Sequence, residues 1–140
     1  MGCEYESDGP EEIVLQLRRR DRRFGRNAYY FVLDALDYTM NNLGRADMAG
    51  EERHVGAREL LSGITDMAAE QFGPMAMEVF KQWGIRSTED FGEVVFNLIE
   101  AGLLSRREED SRLDFIGGVD FNRVFEQRFR VRLASIRTSD

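Results

Sequence analysis

Trp83-Gly84-Ile85-Arg86-Ser87-Thr88-Glu89-Asp90-Phe91-Gly92-Glu93-Val94-Val95-Phe96-Asn97-Leu98-Ile99 carries the sharpest boundary in the chain. Gly84 followed by Ile85 matches a left-handed glycine stop with its hydrophobic contact. Ser87, with Asp90 three residues on, matches a capping box. One helix therefore ends at Gly84 and another begins after Ser87. Phe91, Val94, Val95, Leu98 and Ile99 recur at spacings of three and four, which gives the second helix a buried face until Gly102 closes it. Upstream, Pro74 suits the first turn of the preceding helix, where its missing N–H costs nothing, and that helix carries Met75, Val79, Phe80 and Trp83. Downstream, Leu104 to Phe115 holds polar turn residues Glu108 to Ser111 between two short segments, the pattern of a β-hairpin. Helix, short turn, helix and hairpin together outline a winged helix-turn-helix.

Toward the N-terminus, Leu60, Leu61, Ile64, Met67, Ala68 and Phe72 predict a helix from Ala57 to Phe72, ended by Gly73. Residues 45–53 lack periodicity and read as a loop. Before them, Asn27 can cap a helix whose inner face carries Tyr30, Leu33, Leu36, Met40 and Leu43, with Gly44 as its stop. Glu11 to Arg23 forms a shorter amphipathic helix on Ile13, Val14 and Leu17, with acids at its start and arginines at its end, as the helix dipole favours. Asp120 can cap a last helix with Phe121, Val124, Phe125 and Phe129 inward. The expected fold is mainly α, five to six helices with a winged-helix-like helix-turn-helix centre and a small β-hairpin. Residues 1–10 would be a flexible N-terminal arm, 11–130 a single helical domain and 131–140 a C-terminal tail.

The 140 residues are 42% hydrophobic and include ten Phe, four Tyr and one Trp, enough to bury a core without a disulfide or metal. No apolar run approaches the roughly 18 residues a membrane helix needs, and residues 1–12 carry acids where a secretory signal carries cations. A cytoplasmic protein without membrane partners is the expectation. Cys3 is the only cysteine, and the opening Met1-Gly2-Cys3 places Glu6 where a myristoylation site has Ser or Thr. His54 is the only histidine; with Glu51, Glu52 and Glu59 it makes a weak metal set and reads as a surface or helix-start residue. Gly117-Gly118 lacks the Lys-Ser or Lys-Thr of a phosphate loop, and no nucleophile stands beside a base. Met67, Phe72, Met75, Met77, Phe80 and Trp83 at helical spacing read as core. No catalytic residue, metal or cofactor is expected, and the chain reads as a binding protein rather than an enzyme.

Charge divides unevenly. The net charge is -7, yet residues 11–26 carry +3 and residues 27–110 carry -9. Two surfaces follow. Outside its apolar face the helix after Ser87 offers Glu89, Glu93, Asn97 and Glu100 and no cation. Carboxylates aimed at duplex phosphates repel them, so specific double-stranded DNA is disfavoured and a basic protein partner fits that face. The second surface is Arg18, Arg19, Arg20, Arg22, Arg23 and Arg26, six guanidinium groups in nine residues. They could grip RNA or the ribosome. The favoured reading is that they form ion pairs with the acidic middle of their own chain, since a folded acidic domain answers its own charge first. The leading expectation is a non-enzymatic protein-interaction module, with RNA or ribosome association as the alternative.

Gln71-Phe72-Gly73-Pro74-Met75-Ala76, the stretch Trp83 to Glu93, Val95-Phe96-Asn97-Leu98, Gly102-Leu103-Leu104 and Asp110-Ser111-Arg112 resemble a family of uncharacterised conserved bacterial proteins found in planctomycetes and verrucomicrobia. The likeness runs from about Asn27 to Phe125 and takes in Tyr30-Phe31-Val32-Leu33, His54 and Glu59-Leu60-Leu61. It implies a bacterial cytosolic protein and brings no substrate, cofactor or catalytic residue. A GC-rich genome of that kind also fits a chain whose only lysine is Lys81.

Overall fold

The computed structural model describes residues 2–3, 9–45, 55–105, 112–118 and 120–128. The chain is mainly helical, in the order expected, and the ends of each helix have local causes. Helix α1 is Pro10–Arg20, with Pro10 in the first turn, Glu11 and Glu12 beside it, and Arg18, Arg19 and Arg20 in the last turn. It stops three residues short of Arg23 because Asp21 turns extended, its N–H still donating to the Leu17 carbonyl at 2.8 Å. Only Val14 and Leu17 of α1 are buried.

Helix α2 is Arg26–Asn42 and starts one residue before the expected cap, Asn27. Gly25 is the cap instead, since its N–H is drawn to the Trp83 carbonyl at 3.0 Å. Tyr29 is fully buried and Tyr30 only partly, while Leu43, placed inward by periodicity, is 42% exposed beyond the helix end. Helix α3 is Ala57–Phe72, as expected, with the Glu59 carboxylate accepting from the Gly56 N–H at 3.1 Å. The two helices approach closely at Gly63, where any Cβ would collide with the Thr39 hydroxyl.

A 3-10 turn, Gly73–Met75, holds the Pro74 that was placed in the next helix, and helix α4 is the shorter Ala76–Gln82. The Gly84 stop forms at φ 87°, with Ile85 N–H donating to the Phe80 carbonyl at 2.9 Å. Helix α5, Thr88–Glu100, buries Phe91, Val94, Val95, Phe96 and Leu98. The α4–turn–α5 unit is thus present, but the expected hairpin takes another course. Strand β2, Leu104–Ser105, pairs antiparallel with β1, Gly2–Cys3, from the opposite end of the sequence. The second hairpin segment is a 3-10 turn, Arg112–Phe115, packed on α5. The cause is Phe115, whose buried side chain sits over Gly92 where an added Cβ would lie 2.9 Å from the Phe115 Cβ and 3.0 Å from its ring, and whose carbonyl accepts from the Thr88 hydroxyl at 2.5 Å. Apolar burial on a helix outweighs strand pairing for this segment. The expected turn residues Glu108 to Ser111, the loop histidine His54 and most of the N- and C-terminal segments lie outside the described residues.

Helix α6, residues 121–128, follows Asp120, whose carboxylate accepts from the Arg123 N–H at 3.4 Å. One continuous core runs from Val14 to Phe125. Its hub is Phe80, whose ring lies 5.0 Å from Phe91, 5.3 Å from Phe121 and 5.8 Å from both Phe31 and Trp83, mostly edge to face.

Candidate functional site

The arginine run straddles the end of α1, and the fold splits it in two. Helix termination at Asp21 places that carboxylate against α5. It accepts from the Arg23 Nε at 3.0 Å, the Arg23 Nη2 at 2.7 Å, the Arg23 N–H at 3.1 Å and the Asn97 Nδ2 at 3.0 Å. The Arg23 side chain holds the Asp21 carboxyl well below the usual carboxylate range, over the opposing push of burial, and Asn97 lowers it further. Asp21 in turn raises the Arg23 guanidinium above its ordinary value. Asn97 also donates to the Tyr29 hydroxyl at 3.1 Å, and burial lifts the Tyr29 phenol.

Asn97 therefore does not belong to the outer acidic face on which its spacing placed it. It is 8% exposed and fastens the α1–α2 junction to α5. The carboxylates around it are also engaged within the chain. Glu93 lies 3.4 Å from Arg23, Glu100 lies 3.9 Å from Arg20, and Glu89 accepts from the Gly117 N–H at 3.1 Å. Backbone amides of Glu89 and Gly117, with the Ser87 hydroxyl, lower the Glu89 carboxyl. Glu89 and Glu100 remain exposed, so the α5 face is acidic but answered by its own chain.

Arg18, Arg19 and Arg22 point elsewhere. With Leu15 they line a shallow concavity of about 290 Å³. Leu15 is 49% exposed there, an unusual place for an aliphatic side chain among three guanidinium groups. Among the described residues neither these three arginines nor Arg26 has an ion-pair partner. Arg26 opens α2, whose first turn holds no acid, so the positive end of that helix dipole lies within four residues of Arg22. Dense cations with an apolar neighbour suit phosphate oxygens and the surfaces beside them.

Asp21, Tyr29 and Leu15 take part in this arrangement without having been singled out from the sequence. The one signal for Asp21 was that it interrupts an otherwise cationic run. Among the described residues no group of three His, Cys, Asp or Glu side chains could hold a metal ion, and no helix is long and apolar enough to cross a membrane. Compared with family models, curated proteins and solved structures, the chain matches none.

Proposed function

We propose that the protein is a non-enzymatic binding module that holds RNA phosphates on Arg18, Arg19 and Arg22. The observation that supports this is the division of the run: Arg20 and Arg23 meet α5 carboxylates, while Arg18, Arg19 and Arg22 surround an exposed Leu15 with no counter-charge among the described residues. Ion pairs within the chain engage the first group, whereas Arg18 and Arg19 have only their place at the negative end of the α1 dipole and Arg22 has no counter-charge among the described residues. The adaptor reading through Glu89, Glu93, Asn97 and Glu100 is weaker, because Asn97 is interior and each carboxylate has a partner.

In this reading the α4–turn–α5 unit keeps a helix-turn-helix shape as architecture, with a winged-helix-like centre but no reading head, since α5 offers duplex DNA carboxylates rather than cations. A bacterial cytoplasm, where RNA is plentiful, suits such a module. The test is retention on heparin and on single-stranded RNA as salt rises. Three phosphate contacts give a log–log salt slope of about -2 on single strands. Changing Arg18, Arg19 and Arg22 together to Gln is expected to abolish retention and leave the folded state intact. Retention unchanged by that triple variant would overturn the reading, and a co-purified partner whose capture survives it but fails on Glu89→Lys with Glu93→Lys would favour a basic protein partner instead.

A further inference from the structure

The acids at the start of α1 and the cations at its end both suit the helix dipole, but Leu15 between them has no such reason for its place. Four large apolar side chains are exposed among the described residues: Leu15, Leu43, Met75 and Ile116. Leu43 caps the end of α2, Met75 closes a 3-10 turn and Ile116 follows one, so each lies where the chain changes course. Leu15 is the one of the four inside a helix. Its neighbours Val14 and Leu17 are buried in the core, whereas Leu15 lines the concavity it shares with Arg18, Arg19 and Arg22. Arg18 and Arg19 follow it by one turn, and the exposed Glu11 and Glu12 precede it by one turn. Along its outer face α1 is therefore acidic, then apolar, then cationic.

We infer that Leu15 seats an unpaired base whose phosphate lies on the neighbouring arginines, so that the ligand of this concavity is single-stranded RNA rather than a duplex. The inference rests on the phosphate-binding reading of Arg18, Arg19 and Arg22 and names its substrate class. Side chains one helical turn apart stand about 5–6 Å from each other, close to the span from a nucleotide's phosphorus to the nitrogen that carries its base. A phosphate row continuing along α1 past the arginines would meet Glu11 and Glu12, so the ligand must exchange charge for an uncharged surface at Leu15. A base supplies that surface. Heparin has none, and in a duplex the base faces are covered by their neighbours. An anionic bilayer laid along α1 meets the same two carboxylates.

The test separates bases from phosphates. The native protein is titrated, with anisotropy as the readout, with labelled oligouridylate of about ten nucleotides, whose bases stay unstacked, with an abasic ribose-phosphate strand of the same length, and with an RNA duplex. Tighter binding of oligouridylate than of the other two is the expected result. Equal binding of oligouridylate and the abasic strand, or tighter binding of the duplex, overturns the base contact and leaves the arginine site standing. Failure of every strand to bind, whether or not phosphatidylserine vesicles bind instead, overturns the arginine site and the base contact with it. As a second arm, Leu15→Ala keeps a strong helix former at an exposed position outside the core, so the urea midpoint should hold. It is expected to weaken oligouridylate about fivefold and the abasic strand not at all, with Leu15→Phe restoring the native preference for bases. An equal loss for both strands, or no loss for either, overturns the inference.

Discussion

Helices α1 and α5 both carry a charged outer face, and the fold treats them in opposite ways. Helix α5 buries eight of its thirteen residues, and its carboxylates meet guanidinium groups or backbone amides. Helix α1 buries two of eleven and ends in cations of which, among the described residues, only Arg20 has a carboxylate partner. Charge density in the sequence is similar in the two, so density does not mark a binding surface. What separates them is how much of the charge is neutralised inside the chain.

The comparison breaks most visibly at the root of α5. Phe91 is fully buried and packs edge to face on both Phe80 and Phe121, so Phe91→Ala is expected to cost about 4 kcal/mol in urea unfolding. A loss below about 1 kcal/mol would mean that α5 is not the seat of the core. The tie between the two helices is weaker. Asp21→Asn removes a charge-assisted set of bonds to Arg23 and is expected to cost about 1–2 kcal/mol near neutral pH, the exposure of Arg23 limiting it. Because the folded carboxyl lies below its unfolded value, its contribution is complete above the ordinary carboxylate range and is lost as pH falls through that range toward the folded value. The gap between native and variant stability should therefore close in acid; a gap that widened would refute the tie. The smallest effect belongs to Arg20→Gln. Its partner Glu100 is 3.9 Å away and both side chains are more than half exposed, so thermal unfolding should shift by less than about 0.5 kcal/mol.

Local chemistry was legible where a few neighbouring residues settle the outcome. The Gly84 stop, the Ala57–Phe72 helix and the Asp120 start follow from contacts within one or two turns. The Ser87 box is a near miss: Asp90 accepts from the Arg86 N–H at 2.8 Å, one residue earlier than the motif requires. Long-range partners were not legible. Asn97 sits four residues after Glu93, on the same stripe of the helix, and Asp21 and Tyr29, 76 and 68 positions away, draw it inward. Phe115 likewise prefers a bare glycine on α5 to a strand partner, which no periodicity rule can express. The two arginine groups alternate within a single run because the chain leaves helical geometry at Asp21, and a helical wheel drawn through Arg23 mixes them.

The shallow seating of α1 has a dynamic consequence. With two side chains in the core and one hydrogen-bonded junction behind it, this helix can detach in a local opening that costs far less than unfolding the whole molecule. Its amides would then exchange with solvent hydrogen ahead of those in α5, and any ligand clasping its arginines would slow that exchange by holding the helix down.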